Sequence, residues 1–207
     1  MATLQNVIAE LEKLFDALNS KYFDNKLVKP VIIVQANGKR KNVLGHCSTY
    51  EAWADKESLE KHYEISISAE YLDRPFTEVA GTLLHEMVHL SNLKDNIKDC
   101  GENGYHNKKF EKKANQCGLL VLDRSKSKGF AFTEPTEDTK EFLKTVSVNK
   151  NVFTLARINL SQPNNKPKKN ACRKYACPVP NCKTTARTTK DTSLICGICK
   201  TEMILEN

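Results

Sequence analysis

Leu4, Val7, Ile8, Leu11, Leu14, Phe15, Leu18 and Tyr22 recur at steps of three and four along the start of the chain. That period gathers them on one face and predicts an amphipathic helix buried along a stripe. A period of two follows: YEISISAE (Tyr63 to Glu70) alternates apolar and polar positions, as a half-buried strand does. PVIIVQ (Pro30 to Gln35) and VLGHCSTY (Val43 to Tyr50) read as two more strands, and KESLEKH (Lys56 to His62) as a polar turn. Beyond Asp73-Arg74-Pro75, Thr77 stands where it can cap a helix from about Glu78 to Leu93, striped by Val79, Leu83, Met87 and Leu90. KDNIKDCGENGY (Lys94 to Tyr105) has the Asn, Asp and Gly of a loop. HNKKFEKKANQCGLL restarts a helix near His106 that stops at Gly118. Residues 119–160 hold short pieces, VLD, FAF and FLKTVSV, whose pattern assigns no element.

SQPNNKPKKN (Ser161 to Asn170) has too little apolar surface to offset the entropy of ordering it, and reads as a linker. The expected plan is a body over residues 1–160, a basic linker over 161–171 and a small module over 172–207. No apolar run approaches the roughly 18–20 residues of a membrane span. The first segment has no basic start followed by an apolar block, so it is not a secretory signal. At 40% hydrophobic and 28% charged, the composition is that of a globular chain.

Charge changes this picture. Of the net +7, residues 140–207 hold +9, from thirteen Lys and Arg against four Asp and Glu, which leaves −2 for the rest. A near-neutral body with a basic tail suggests a polyanion partner for the tail, and nucleic acid is the commonest polyanion.

Candidate chemistry sits on the second predicted helix, in TLLHEMVHL. His85 and His89 are four apart, so both imidazoles leave the same face, about 6 Å apart along the axis. Two such nitrogens suit Zn²⁺, which in catalytic sites takes three protein ligands and keeps a position open. Glu86 lies one residue along, where it can serve as general base. Buried His and Glu inside an apolar helix would cost energy without a partner or a metal. For the third ligand His106 is best placed, because a Gly-bearing loop returns the chain there; His46, His62, Glu102 and Glu111 are the other options. Tyr105 is a candidate to stabilise an oxyanion or to pack.

Five of eight cysteines crowd into residues 172–199. With no export signal, metal binding is the better reading than disulfides. Cys177, Cys182, Cys196 and Cys199 form the expected quartet of a closed structural Zn²⁺ site, with Cys172 as a substitute. Around them Lys168, Lys169, Arg173, Lys174, Lys183, Arg187 and Lys190 are candidate phosphate contacts, and Tyr175 a candidate stacking ring.

HEMVHL followed by a loop and GYHNKKF closely resembles the active-site region of SprT-like zinc metalloproteases, the family that includes Spartan-type DNA–protein crosslink proteases. LGHCSTYEAW and EISISAEYL upstream and the cysteine module downstream extend the resemblance. It implies an α+β fold: a minimal zincin-like body of a helix, a sheet of three or more strands, the HExxH helix and a following helix, with a C-terminal zinc ribbon. It further implies His85, His89 and His106 as ligands of a catalytic Zn²⁺, a second structural Zn²⁺, and Glu86 as the base of an endopeptidase. The implied partners are a protein substrate and DNA, single-stranded by preference, with no membrane. The lack of an export signal and the clustered cysteines make the cytoplasm the expected location, with the nucleoid as one option within it. Two other readings stand beside it. One is a non-catalytic DNA- or RNA-binding protein in which the HExxH metal is structural. The other is a peptide deformylase with Cys47 as ligand, which the missing glycine-rich and cysteine motifs disfavour; Cys47 then reads as a small buried hydrophobe.

Overall fold

The computed structural model describes residues 2–38, 43–158 and 173–206. Two compact units emerge, Met1–Asn159 and Leu160–Asn207.

In the first unit, helix α1 (Leu4–Phe23) begins at Thr3, whose side-chain oxygen accepts the N–H of Asn6. It ends at Asp24, which turns into the left-handed region with φ 52°. Val7, Leu11, Leu14, Phe15 and Leu18 are fully buried, each contributing ~1.5–3 kcal/mol by leaving water. Strands β1 (Val31–Gln35), β2 (Gly45–Cys47), β3 (Trp53–Ala54), β4 (Lys61–His62) and β5 (Glu64–Ser68) follow. They make a three-stranded sheet in the order β1-β5-β2 and a separate β3–β4 hairpin. β1 runs parallel to β5, pairing Ile33 with Ser66, while β2 runs antiparallel to it, pairing His46 with Ser66.

Three expectations need correction here. The strand expected over 43–50 shortens to three residues, and the polar segment 56–62 is the tip and return of a hairpin. The alternation in β5 forecast one wet face, yet Ser66 and Ser68 are buried as fully as Ile65 and Ile67. Part of the reason is local hydrogen bonding: the Ser68 hydroxyl accepts from the Asn37 amide and donates to Glu70, so burial leaves it satisfied.

Helix α2 (Phe76–Lys94) starts before the expected Thr77 cap: the carbonyl of Pro75 accepts from Glu78 and Val79, and no side chain caps it. As the N-cap, Pro75 stands just outside the helix, where its missing N–H removes no intrahelical hydrogen bond. α3 (Lys108–Gln116) is capped by the Asn107 side chain, which accepts from the N–H groups of Lys109 and Phe110. Residues that the pattern left unassigned form β6 (Leu119–Val121), β7 (Thr133–Pro135) and α4 (Glu137–Thr145). β6 and β7 pair antiparallel. Gly118, at φ +76°, lies so close to Thr139 and Tyr22 that a Cβ would sit 2.4 Å from the Thr139 hydroxyl. α1, the sheet and α2 share one core, with Leu83, Leu84, Met87 and Phe110 wholly buried in it.

The second unit is a three-stranded antiparallel sheet of β8 (Arg173–Ala176), β9 (Thr185–Thr188) and β10 (Ile204–Glu206), in the order β10-β8-β9. Tyr175, Cys177, Cys196 and Met203 form its small core. Both units are thus helices with small sheets or small sheets alone, an α+β chain. Among the described residues no helix is long and apolar enough to cross a membrane.

Candidate metal centre

The two histidines of α2 do face one way, and the loop after α2 returns a third ring to them. The Nε2 atoms of His85, His89 and His106 lie 3.1 Å, 3.3 Å and 3.0 Å apart, pair by pair. Each opposite nitrogen is engaged elsewhere. His85 Nδ1 meets the Thr133 hydroxyl at 2.9 Å, His89 Nδ1 meets the Asp99 carboxylate at 2.8 Å, and His106 Nδ1 meets the Gly104 carbonyl at 3.0 Å. A carboxylate and a carbonyl only accept, so Nδ1 of His89 and of His106 must carry the proton. Their Nε2 lone pairs then point at each other with no hydrogen between them, an arrangement that repels until a cation sits at its centre. Tetrahedral Zn²⁺ with N at ~2.0–2.1 Å separates its ligand nitrogens by about 3.3–3.4 Å, close to what is seen. The donor set therefore fits zinc.

Burial and electrostatics agree with neutral rings. Burial, reinforced by the neighbouring His89 and His106, holds His85 well below the ordinary imidazole range. Burial and His89 push His106 down to about 4. Asp99 is nearly inaccessible; burial pulls its pKa up, but the hydrogen bonds from His89 and Asn92 outweigh this and keep it ionised. An anion holding the far nitrogen of a ligating imidazole fixes both its tautomer and its orientation.

Glu86 faces strand β2. Its carboxylate accepts the backbone N–H of Cys47, and burial lifts its pKa to about 7 despite that hydrogen bond. Gly45 makes the approach possible: a Cβ there would lie 2.9 Å from Glu86 Oε1 and 2.9 Å from the Thr82 methyl. Glycine inside a strand signals such a close approach, so this contact had a sequence sign that went unused.

His106 is clamped by its own backbone. Its N–H donates to the Lys128 carbonyl at 3.0 Å, and its carbonyl accepts from Phe130 at 3.1 Å. Between them Gly129, at φ +64°, passes so near that a Cβ would fall 2.0 Å from the His106 carbonyl oxygen. Phe110 packs against all three imidazoles, with ring centres 4.6–4.7 Å away.

The side chain of Glu102 lies outside the described residues; the other candidates lie apart from this cluster. Cys47 is buried with its thiol toward the Ser48 carbonyl, His62 stands 3.9 Å from Glu60, and Glu111 is half-buried on α3. None of these, nor His46, belongs to the group that converges on His85, His89 and His106. The Tyr105 hydroxyl accepts twice from the Arg124 guanidinium, at 3.0 Å and 2.7 Å, and keeps its own O–H as a donor. Nothing local in the sequence marks Asp99, Thr133 or Gly129, which reach a histidine ten to fifty positions away, and Gly104, only two residues from His106, acts through a backbone carbonyl that any residue carries.

In the second unit, Cys177, Cys182, Cys196 and Cys199 bring four thiols within 4.8 Å of one another. Cys182 and Cys196 sulfurs lie 3.8 Å apart, close to the about 3.8 Å that Zn–S bonds of ~2.3 Å impose on a tetrahedron. Backbone N–H groups of Val179, Thr184 and Cys199 point at the sulfurs of Cys177, Cys182 and Cys196. Those of Cys199 and Ile198 hold the Cys196 thiol down to about 6. Cys182 is lowered too, whereas Cys177 is raised and the adjoining Cys182 thiol pushes Cys199 up to about 12, so without metal the four thiols share their protons unequally. Cys172, Lys168 and Lys169 lie outside the described residues.

Of the remaining basic candidates, Arg173 pairs with Asp191 at 2.6 Å and Lys174 with Glu206 at 2.5 Å, on opposite sides of β8. Lys183, Arg187 and Lys190 form no ion pair among the described residues. Tyr175 is no stacking platform: it is buried, with its hydroxyl donating to Asp191. An inward-facing residue of the central strand has no free ring face.

A family model described as the SprT-like family matches residues 11–133. No curated protein and no solved structure matches the chain.

Proposed function

Since the chain belongs to the SprT-like family, and so carries a metalloprotease-type domain, we propose that it is a zinc-dependent endopeptidase acting on DNA-associated or DNA-crosslinked proteins. The observation that carries this reading is the convergence of three imidazole lone pairs beside a buried carboxylate whose pKa is about 7. Zn²⁺ held by His85, His89 and His106 would supply Lewis acidity toward a scissile carbonyl and lower the pKa of water. This chain's own groups do the rest.

Glu86 is the proton carrier. Beside the metal its carboxylate can take the proton of the attacking water and pass it to the leaving amine; the pKa of about 7 belongs to the metal-free protein, and a bound Zn²⁺ would lower it. The Cys47 N–H and the absent Cβ of Gly45 keep that carboxylate on β2. Asp99, Thr133 and Gly104 keep the three rings turned inward. β2 lies at the margin of its sheet, and an extended substrate chain can add to that edge by backbone pairing.

The four-cysteine unit binds a second, structural Zn²⁺ as a zinc ribbon that folds on its metal. Lys168, Lys169, Arg173, Lys174, Lys183, Arg187 and Lys190 bring it to DNA, single strands by preference, through phosphate contacts. The domain plan is that of residues 1–160 as the protease, 161–171 as tether and 172–207 as ribbon, working in the cytoplasm at the nucleoid.

The test is cleavage of itself and of a DNA-bound protein by the purified chain, with and without single-stranded DNA. Glu86→Gln should keep its zinc and lose ~10²–10⁴-fold in rate, the usual worth of a general base. Full-rate cleavage by that variant, or a wild-type chain inert with both metals bound, would leave a non-catalytic nucleic-acid-binding protein.

A further inference from the structure

Charge within the first unit is sharply segregated. Residues 105–128 hold seven Lys and Arg against Glu111 and Asp123, a balance of +5. The rest of residues 1–139 therefore carries −7, given −2 for the whole stretch. Lys108, Lys109, Lys112, Arg124, Lys126 and Lys128 are all exposed.

The fold draws them together around the third histidine. His106 is bonded on its backbone to Lys128 and Phe130, and the turn closed by Ser125 and Gly129 carries Lys126 and Lys128. Lys108 and Lys109 follow His106 directly, in the first turn of α3. Arg124 reaches Tyr105, and the Lys128 amine donates to the Asn103 carbonyl. The strip thus flanks segment 103–107 on both sides.

Stability does not explain it. Cations in the first turn of a helix face the positive end of its dipole. Among the described residues none of these six forms an ion pair, whereas Lys13, Lys26, Lys29, Lys140 and Lys144 each hold a carboxylate. Arg124 and Lys128 do bond locally, to Tyr105 and to the Asn103 carbonyl, but no carboxylate neutralises any of the six, and a local rule broken without such compensation marks a functional surface.

We propose that this strip is a second nucleic-acid contact, seating a phosphate backbone beside the histidine centre on the first unit itself. The inference rests on the DNA-linked reading above and extends it from the ribbon to the protease body. The exposed side chains of α3 and of residues 123–128 are Lys, Arg, Asp, Asn, Gln and Ser, while the exposed apolar side chains nearest in sequence, Leu120, Leu122 and Phe132, lie on or beside β6 and β7. Peptide recognition draws most of its energy from buried aromatic or aliphatic anchors, whereas phosphate contacts need only cations. Nucleic acid therefore fits the strip better than an acidic peptide. A backbone held there would keep a protein attached to it within reach of the centre.

The experiment uses the full chain and fluorescein-labelled oligothymidylate, with affinity followed across a salt titration. Lys108→Gln, Lys109→Gln, Lys112→Gln and Lys126→Gln are combined in one variant. It should lose affinity and lower the slope of log affinity against log salt by about 1–3 units, since each single-strand phosphate contact contributes about 0.7. Lys140→Gln with Lys144→Gln, which removes paired cations, serves as control and should leave the slope unchanged. A wild-type slope in the four-lysine variant overturns the strip. If the corresponding ribbon variant at Arg173, Lys174, Lys183 and Arg187 still loses slope, the DNA-linked reading survives that failure. No binding by the wild-type chain overturns both. Unchanged DNA binding with lost cleavage of an acidic substrate overturns the strip in favour of peptide recognition.

Discussion

Gly45 and Glu86 are residues whose roles depend on each other. Glu86 was legible from spacing alone, because HExxH places a carboxyl next to two ligands on any regular helix. What holds that carboxyl was not legible in its own segment, since Gly45 and Cys47 lie forty residues upstream. Gly45→Ala would set a methyl 2.9 Å from Glu86 Oε1 and 2.9 Å from the Thr82 methyl, so strand or carboxylate must shift. We expect kcat to fall tenfold or more, as small misplacements of a catalytic group do, with zinc content unchanged, because all three imidazoles keep their own partners. Metal analysis alongside steady-state kinetics checks this; loss of zinc instead would show that Gly45 supports the fold rather than the base.

Among the elements, β2 and the turn before β7 matter more than their length suggests. Periodicity found the long helices correctly, since their apolar stripes are read from neighbours on one face. It missed β6, β7 and α4, and stretched β2, because short strands are defined by pairing partners far along the chain. Gly129 shows the consequence. Its turn fixes His106 by two backbone hydrogen bonds, and a side chain there would collide with the His106 carbonyl at 2.0 Å. Gly129→Ala should weaken zinc at the histidine site by 10-fold or more, on the scale seen when groups supporting a ligand are lost. Competition with a chromophoric chelator reads this, and the four-cysteine site, lying in the other unit, should titrate unchanged as an internal reference.

Across the whole molecule, protonation couples the centre to stability. In metal-free protein, burial and His89 hold His106 at about 4, and His85 is also depressed; both would titrate near ~6.5 when unfolded. Below pH ~6.5 the unfolded chain thus binds more protons than the folded one, and stability falls as pH drops. Glu86 works in the other direction, being near 7 folded against the ordinary value of 4.5. Its contribution is lost as pH rises toward 7. With two imidazoles opposing one carboxyl, the melting temperature of chelator-treated protein should peak near pH ~6.5 and fall toward pH ~4.5. Calorimetry over that range is the check. Glu86→Gln should remove the decline between pH ~6.5 and ~7 while keeping the acid one; a flat profile in the wild type would contradict the burial of these groups.

The sequence by itself determined what periodicity and spacing can carry: the amphipathic first helix, two imidazoles and a carboxyl on one rigid helix, and the cysteine clusters. Those follow from 3.6 residues per turn and from ligand chemistry, which act within a few positions. Only the tertiary structure decided which anions and carbonyls turn the rings inward, which glycines let β2 and the 129 turn approach, and where cations gather around His106. Such contacts join segments ten to fifty or more residues apart, and their geometry is set by packing that no local pattern encodes.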